Sequence, residues 1–188
     1  MLETACCNFI SRKAGGFHPF GGLHSMRKYL KVFMVILLVF TFIGCDQATK
    51  SLAKHQLQYS ASVNILGGFV RFQFAENHGY FLSIGSNLSE ALRKLITILL
   101  TVAVLIGMGI LLTSAKAIKI PALIAFSLFI AGSLGNLIDR ILNQGRVVDF
   151  LILGTKTIHT GIINIADLLI TASIVTLIIL KYFYNHAD

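Results

Sequence analysis

The chain has 188 residues, of which 55% are hydrophobic and only 13% are charged. Soluble domains carry about 25% charged residues, so this composition excludes an ordinary water-soluble domain and indicates an integral membrane protein. The net charge of +8 is unevenly spread, and no basic face interleaved with aromatic residues predicts a nucleic-acid partner.

The N-terminal residues 1–25 are rich in glycine and histidine and show no clear period. We therefore expect a loose, disordered extension there. Met26 is followed by three basic residues within five positions and then by an almost wholly apolar run that ends at Cys45. This is the layout of a signal peptide or of a first transmembrane helix, and Met26 is itself a candidate translation start.

The apolar run ends in Phe-Ile-Gly-Cys, which is close to a lipobox, the tetrapeptide whose cysteine becomes lipid-modified in bacterial lipoproteins. Under that interpretation Cys45 would carry a lipid and a secreted domain would follow. Three more apolar segments follow instead, at about Leu95–Thr113, Ile120–Leu137 and Ile162–Tyr184. Each approaches the roughly 20 residues that a membrane-spanning helix needs. The sequence therefore predicts four transmembrane helices, with Cys45 as a small buried residue near the outer end of the first.

A strand is predicted in the long segment between the first and second helices. The sequence FVRFQF alternates, so that Val70, Phe72 and Phe74 face one way while Arg71 and Gln73 face the other. This period is typical of a strand with one apolar face. We expect it to lie on the membrane surface beside the helices.

The basic residues favour one orientation of the chain. With the N-terminus inside, Lys and Arg divide equally between the two sides of the membrane, but those inside crowd the short flanks of the helices. The positive-inside rule weighs short flanks most heavily. We therefore expect both termini in the cytoplasm.

Polar residues recur on one face at the end of the third helix. Gly132, Asn136 and Arg140 are spaced by four residues, with Gly135 and Asp139 beside them. Small residues on such a face allow another helix to approach closely, but packing alone does not require a carboxylate and a guanidinium. Asp139 and Arg140 could also form a simple surface pair.

Two further carboxylates lie in apolar surroundings. Asp149 is flanked by valines, a phenylalanine and a leucine, and Asp167 shares a face with Asn164 and Thr171 near the start of the fourth helix. Ionisable groups in transmembrane segments cost about 2.5–3.5 kcal/mol, so each is by default a functional hypothesis. Because both aspartates lie towards the same membrane face, they could converge in a four-helix arrangement.

Two adjacent carboxylates resist simultaneous ionisation and share a proton near neutrality. The ionised member can take a proton from water while its neighbour polarises a carbonyl group. That is aspartic-protease chemistry. The pair could equally be part of a relay in a transporter or channel, together with Asp139, and the spacing does not separate the two. The histidines lack metal-ligand spacing and the three cysteines make no disulfide framework.

Four sequence blocks, in order, resemble the bacterial lipoprotein signal peptidases (signal peptidase II). The blocks are DQATK at Asp46–Lys50, NHGYFLS at Asn77–Ser83, GNLIDR…GRVVDF at Gly135–Phe150, and NIADLL at Asn164–Leu169. Each block alone is weak evidence for this family, but the four blocks in this order and within a four-helix frame are specific for it. The resemblance covers about residues 30 to 184.

The resemblance implies an all-α polytopic membrane protein with four transmembrane helices, and a small extramembrane β-sheet and surface helix between helices 1 and 2. Residues 26–188 would form one intramembrane peptidase domain. The activity implied is an aspartic endopeptidase of the bacterial cytoplasmic membrane, which cuts prolipoproteins at the outer face, just before a diacylglyceryl-modified cysteine. Its partners would be these prolipoproteins and membrane lipid, and it would need no metal or cofactor.

The resemblance also implies roles for individual residues. Asp149 and Asp167 would be the catalytic pair. The polar residues around them would be Asp46, Lys50, Asn77, Gly79, Asn136, Arg140 and Asn164.

Three departures from the family pattern affect the prediction. Tyr80, Phe81 and Leu82 follow Gly79, where small residues are usual, so we expect a reshaped substrate entrance or, alternatively, a non-catalytic relative. Ala131-Gly132-Ser133 stands where two glycines are common, and Ile163 replaces a usual phenylalanine.

Overall fold

The computed structural model describes residues 20–78, 88–114 and 118–185. By its internal contacts the chain divides into Met1–Met34 and Val35–Asp188. Of the first unit, residues 20–34 are described and are helical. The sheet and the candidate site belong to the second unit.

Four long helices dominate the described residues. They are α1 (Phe20–Leu57), α2 (Glu90–Ser114), α3 (Ile120–Leu142) and α4 (Ile165–Asn185). Each contains a segment that is long and apolar enough to cross a membrane. The predicted fold of four transmembrane helices is confirmed.

The first helix is longer at both ends than the sequence suggested. It begins at Phe20, so residues 20–25, which we expected in the extension, are helical. Pro19 directly precedes this start, and a proline disfavours the helical conformation in the residue before it. Residues 1–19 lie outside the described residues.

The prediction for Cys45 is wrong. Its side chain is exposed, and α1 continues to Leu57, about three further turns. The helix continues because the polar residues that follow Cys45 find partners inside the protein, as described below.

A three-stranded antiparallel sheet has the order β1 (Val63–Ile65), β2 (Val70–Asn77), β3 (Val147–Leu153). The predicted strand is confirmed as β2 and extends to Asn77. In the β2–β3 register Phe72 lies opposite Leu151 and Ala75 opposite Asp149, with an irregularity between them. Residues 147–152 of β3 are all buried, so its sequence shows no alternation and the strand was not predicted.

The sheet joins two distant parts of the chain, because β3 comes from the connection between α3 and α4 rather than from the segment between α1 and α2. In the described part of that segment the helical piece is a single 3-10 turn, Leu66–Gly68. The predicted surface helix is not among these residues, and residues 79–87 lie outside the described part of the chain.

Close packing of α3 on α4 positions the candidate site. Ala131 and Ala166 are fully buried. A Cβ added to Gly132 would lie 2.5 Å from the Ala166 carbonyl oxygen, a distance that no real contact tolerates. Glycine is therefore required where the two helices approach, in agreement with the predicted packing role of small residues.

Candidate active site

A buried ion cluster joins α1 to α3. Lys50 Nζ lies 2.8 Å from Asp46 Oδ2 and 3.1 Å from Asp139 Oδ2. It also donates a hydrogen bond of 3.0 Å to Asn136 Oδ1. All four side chains are at most 5% exposed, so Asp46 and Lys50 are part of a desolvated network and not an ordinary helix-surface pair.

Asp46 also contacts the start of α4. Its Oδ1 accepts a 2.9 Å hydrogen bond from the backbone N–H of Ala166, a donor of the first turn that has no partner within the helix. A Cβ at Gly135 would lie 2.6 Å from Asp46 Oδ2, so that glycine leaves the room for the carboxylate. Asp46 thereby connects α1, α3 and α4.

Asp149 is held in β3 by two amide donors. Its side chain is 2% exposed. Asn164 Nδ2 donates to Oδ1 at 2.6 Å, and Asn77 Nδ2 donates to Oδ2 at 3.0 Å. Burial, followed by the negative charge of Asp167, raises the pKa of Asp149 from its ordinary 3.8 to about 6, against the lowering effect of the two amide bonds and of Lys50.

Asp167 lies in the first turn of α4 and is half-buried. Asn136 Nδ2 donates to Asp167 Oδ1 at 2.9 Å, and the backbone N–H of Asn164 donates to Oδ2 at 3.2 Å. In return, the Asp167 backbone N–H donates to Asn164 Oδ1 at 2.9 Å. This reciprocal pair satisfies two backbone donors at the helix start and fixes the carboxylate.

The two asparagines connect the aspartates to each other and to the ion cluster. Asn164 Nδ2 donates to Asn136 Oδ1 at 3.1 Å as well as to Asp149. Asn136 Oδ1 also accepts from Lys50. Asn164 therefore contacts both Asp149 and Asp167, while Asn136 connects Asp167 to Lys50.

Arg140 lies beside this network with unused donors. It is half-buried, and its hydrogen bond to the Asn136 carbonyl oxygen is long, at 3.4 Å. Its Nε is buried and has no acceptor within the described part of the chain. The guanidinium interacts electrostatically with Asp167, Asp139 and Asp149.

The structure thus brings together all the predicted site residues except one. Gly79 lies outside the described residues, together with Tyr80, Phe81 and Leu82, so their effect on the substrate entrance stays a prediction. Among the residues that are described, no group of three His, Cys, Asp or Glu side chains could hold a metal ion.

Two further members of the network, Gln47 and Asp139, were not predicted as residues of a peptidase site. Gln47 Nε2 donates to Asp139 Oδ1 at 3.0 Å and to the Gly135 carbonyl oxygen at 3.2 Å. Asp139 Oδ2 accepts from the Val148 backbone N–H at 3.0 Å, next to Asp149. The interpretation of Asp139 as a surface partner of Arg140 is wrong, because its side chain is buried against Lys50. Its position three residues after Asn136, on the same helical face, was the available signal.

The chain is similar to proteins of one family. A family model described as "Signal peptidase (SPase) II" matches residues 37–183. The lipoprotein signal peptidase of Francisella tularensis subsp. novicida is 31% identical over 161 residues, covering 86% of this chain and 97% of that protein. The lipoprotein signal peptidase of Clostridium tetani is 34% identical over 151 residues, covering 78% and 90%.

The fold is also similar to that of a solved bacterial membrane enzyme. The two superpose with a TM-score of 0.72 and 25% identity, covering 84% of this chain and 92% of that one. The four blocks, the four spanning helices and the match over most of the length agree: the chain belongs to the signal peptidase II family.

Proposed function

We propose that the chain is an aspartic endopeptidase that removes signal peptides from diacylglyceryl-modified prolipoproteins by cleaving just before the lipidated cysteine. Membership of the signal peptidase II family supports a peptidase that acts on lipoprotein precursors. The observation that carries the aspartic mechanism is the arrangement in which Asn164 contacts both Asp149 and Asp167.

In the proposed mechanism the aspartate pair holds one proton. The ionised carboxylate takes a proton from a water molecule whose oxygen attacks the scissile carbonyl carbon, and the protonated carboxyl donates to the carbonyl oxygen. The C–N bond then breaks, the cysteine nitrogen gains a proton, and the signal peptide leaves with a new carboxyl group. The raised pKa of Asp149, about 6, supports this exchange near neutral pH.

The surrounding residues are assigned supporting roles. Asn136 and Asn164 orient the two carboxylates, while the ion cluster of Lys50, Asp46 and Asp139 fixes the elements that carry them. Arg140, with an unpartnered buried Nε, would supply a donor to a substrate carbonyl oxygen.

The reaction is proposed to occur at the outer face of the bacterial cytoplasmic membrane. The strands connect to the end of α1, the start of α2, the end of α3 and the start of α4. These four ends share one membrane face because consecutive spanning helices alternate in direction. With both termini in the cytoplasm this is the outer face, where the lipid of the substrate can stay in the bilayer.

The test of the activity uses purified protein and a diacylglyceryl-modified prolipoprotein in detergent. We expect wild type to cleave before the modified cysteine, as read by mass spectrometry of the products. Asp149→Asn and Asp167→Asn should each lose at least about a thousandfold in rate. Glu90→Gln, which removes an exposed carboxylate outside the site, should cleave normally. The proposal fails if wild type is inactive or if either aspartate variant cleaves as well as wild type.

The same assay separates the two other candidate functions. A transporter or channel that uses Asp139, Asp149 and Asp167 as a relay would show activity that depends on an ion gradient and needs no prolipoprotein. A non-catalytic relative would bind the precursor and leave it intact. Cleavage in detergent, where no gradient exists, contradicts both.

The orientation is tested with single cysteines in an otherwise cysteine-free chain. Tyr59, which is 94% exposed, lies between α1 and β1, and Lys181 lies near the C-terminal end of α4. A membrane-impermeant maleimide applied to spheroplasts should label Tyr59→Cys at once and Lys181→Cys only after permeabilisation. The reverse pattern would contradict cytoplasmic termini.

A further inference from the structure

A cavity of about 540 Å³ lies on the sheet, away from the aspartate pair. Its polar lining comes from Ser62, Asn64, Arg71, Gln73 and Lys156. Val70 and Phe72 pack against the buried core of the sheet, and Arg71 alternates with them along β2. The cavity therefore opens on the opposite face of the strand.

The two cations of the cavity have unused binding capacity. Among the described residues, Arg71 has one hydrogen-bond partner, the Thr155 carbonyl oxygen, at a long distance of 3.5 Å from Nη2. Its Nε is buried and has no acceptor in the described part of the chain. Lys156 is exposed at the cavity wall. An arginine and a lysine together supply a planar fork of donors and a mobile point charge, a combination suited to a phosphate group.

No carboxylate of the described residues neutralises this pair. Asp46 and Asp139 face Lys50. Glu76 and Glu90 face Arg146. The remaining two, Asp149 and Asp167, are held by the asparagines of the candidate site, and none of the six lines the cavity. Any counter-ion for this pair therefore comes from outside these residues.

The backbone beside the cavity has three consecutive residues with positive φ. Gly67 and Gly68 have φ angles of 67° and 89°, which side chains rarely adopt, and a Cβ added at either would meet nothing within 4 Å. Leu66 also has a positive φ, 52°, and its side chain is 74% exposed. A strained, exposed leucine is an unfavourable choice in water.

The rim of the cavity is apolar. Leu66 and Phe69 are exposed next to the two glycines, and Ile158 is exposed two residues after Lys156. The backbone N–H of Gly154 donates to the Phe69 carbonyl oxygen at 2.9 Å, so the two parts of the rim are adjacent. Exposed apolar side chains around a cationic recess fit the boundary between lipid headgroups and acyl chains.

We propose that this cavity binds a phosphate group, as carried by the headgroup of an anionic phospholipid. Arg71 and Lys156 would bind the phosphate oxygens, Asn64 and Gln73 would add neutral hydrogen bonds, and the apolar rim would contact the lipid chains. Such a contact would hold the sheet on the bilayer surface. Because free phosphate shares the same chemistry, the test separates the two sources.

The test uses the purified full-length chain. Native mass spectrometry counts phosphatidylglycerol and phosphatidylcholine molecules retained after release from nanodiscs of either lipid, and calorimetry in detergent measures the binding of inorganic phosphate. The variant is Arg71→Gln/Lys156→Gln. Its control is Lys54→Gln/Lys181→Gln, which removes the same charge from exposed positions outside the cavity. Thermal unfolding shows that each variant is folded.

We expect wild type and the control to retain phosphatidylglycerol in preference to phosphatidylcholine, and the cavity variant to lose at least about tenfold in this affinity. Phosphate binding that disappears in the cavity variant, without any preference among lipids, identifies free phosphate as the source. Equal retention by the two double variants, with no phosphate binding that depends on the cavity, overturns the proposal. Both readouts are independent of peptide cleavage.

Discussion

Asn164 contacts both aspartates through its side-chain amide and its backbone N–H. Its side-chain Nδ2 donates to Asp149. Its side-chain Oδ1 accepts from the Asp167 backbone N–H, and its own backbone N–H donates to the Asp167 carboxylate. An aspartate at this position would add a third negative charge, and a leucine would remove every side-chain bond. Because Asn164 is fully buried, its position requires an amide, which explains why an uncharged residue lies at the centre of a charged network.

The raised pKa of Asp149 predicts a pH-dependent cost to stability. The folded state binds the proton more tightly than the unfolded state, because the pKa is about 6 when folded and 3.8 ordinarily. The bound proton therefore stabilises the folded state fully below about pH 4, and this stabilisation is lost as the pH rises through 6. Since one pKa unit corresponds to about 1.4 kcal/mol, ionisation of Asp149 in the folded state lowers the free energy of unfolding by roughly 3 kcal/mol.

Asp149→Asn mimics the protonated acid, so we expect the variant not to lose stability as the pH rises through 6. Its Tm, measured by circular dichroism in detergent, should match that of wild type at pH 4 and exceed it by several degrees above pH 6.5. Glu90→Gln, an exposed carboxylate, serves as the control and should follow wild type. A constant difference between Asp149→Asn and wild type across this range would contradict the assigned pKa.

The contact between α3 and α4 determines where Asp167 lies. Gly132 faces the Ala166 carbonyl oxygen, one residue before Asp167. Any side chain at Gly132 must push α4 away from α3, and with it the carboxylate from Asn136. The contact between the two helices therefore has no room for even one added methyl group.

Gly132→Ala should lower the free energy of unfolding by about 1–3 kcal/mol, the usual cost of overpacking. It should also slow cleavage under conditions in which the variant is still folded. Gly107→Ala in α2 is the matched control, because its added Cβ meets nothing within 4 Å. Chemical denaturation and the cleavage assay together check this. Full activity and stability in Gly132→Ala would show that the helices can separate without harm.

The two strands that carry site residues differ in how well the sequence reveals them. β2 was predicted because its solvent face is polar, so Val70, Arg71, Phe72 and Gln73 alternate. β3 is buried on both faces, and a continuous apolar run has no period by which a strand is recognised. The location of Asp149 in a strand was for that reason not predictable from spacing.

The sequence revealed the helices through their apolar length and most of the site through four blocks, but not the contacts between blocks. Gln47 stands within the first block, and its three acceptors lie on two helices. Sequence periodicity defines a face of one helix and not which face of another helix it meets. The partners of Gln47 and Asp139 therefore needed the structure.

The buried ion cluster connects three helices and β3, and its two carboxylates depend on one cation. Lys50 faces two carboxylates of α1 and α3, and the same carboxylates bind backbone N–H groups of α4 and β3. Without the ammonium group, two negative charges would remain buried and uncompensated, a situation that typically costs 3–5 kcal/mol.

Lys50→Met keeps the length of the side chain and removes its charge, so we expect severe loss of folded protein. Lys54→Met, one turn further along α1 and exposed, should behave as wild type. The yield of monodisperse protein and its Tm provide the measurement. A Lys50→Met protein as stable as Lys54→Met would show that the ammonium group of Lys50 does not stabilise the fold.

The pairing of β2 with β3 has a consequence for the biosynthesis of the protein. Asp149 receives its hydrogen bonds from Asn77, before α2, and from Asn164, just before α4. If both termini lie in the cytoplasm, as proposed, the two connections that carry these residues must cross the bilayer before the carboxylate receives both hydrogen bonds. On the proposed assignment, the nascent chain cannot hydrolyse a neighbouring precursor while it is still leaving the translocation machinery, and hydrolytic capacity arises only in the completed polypeptide.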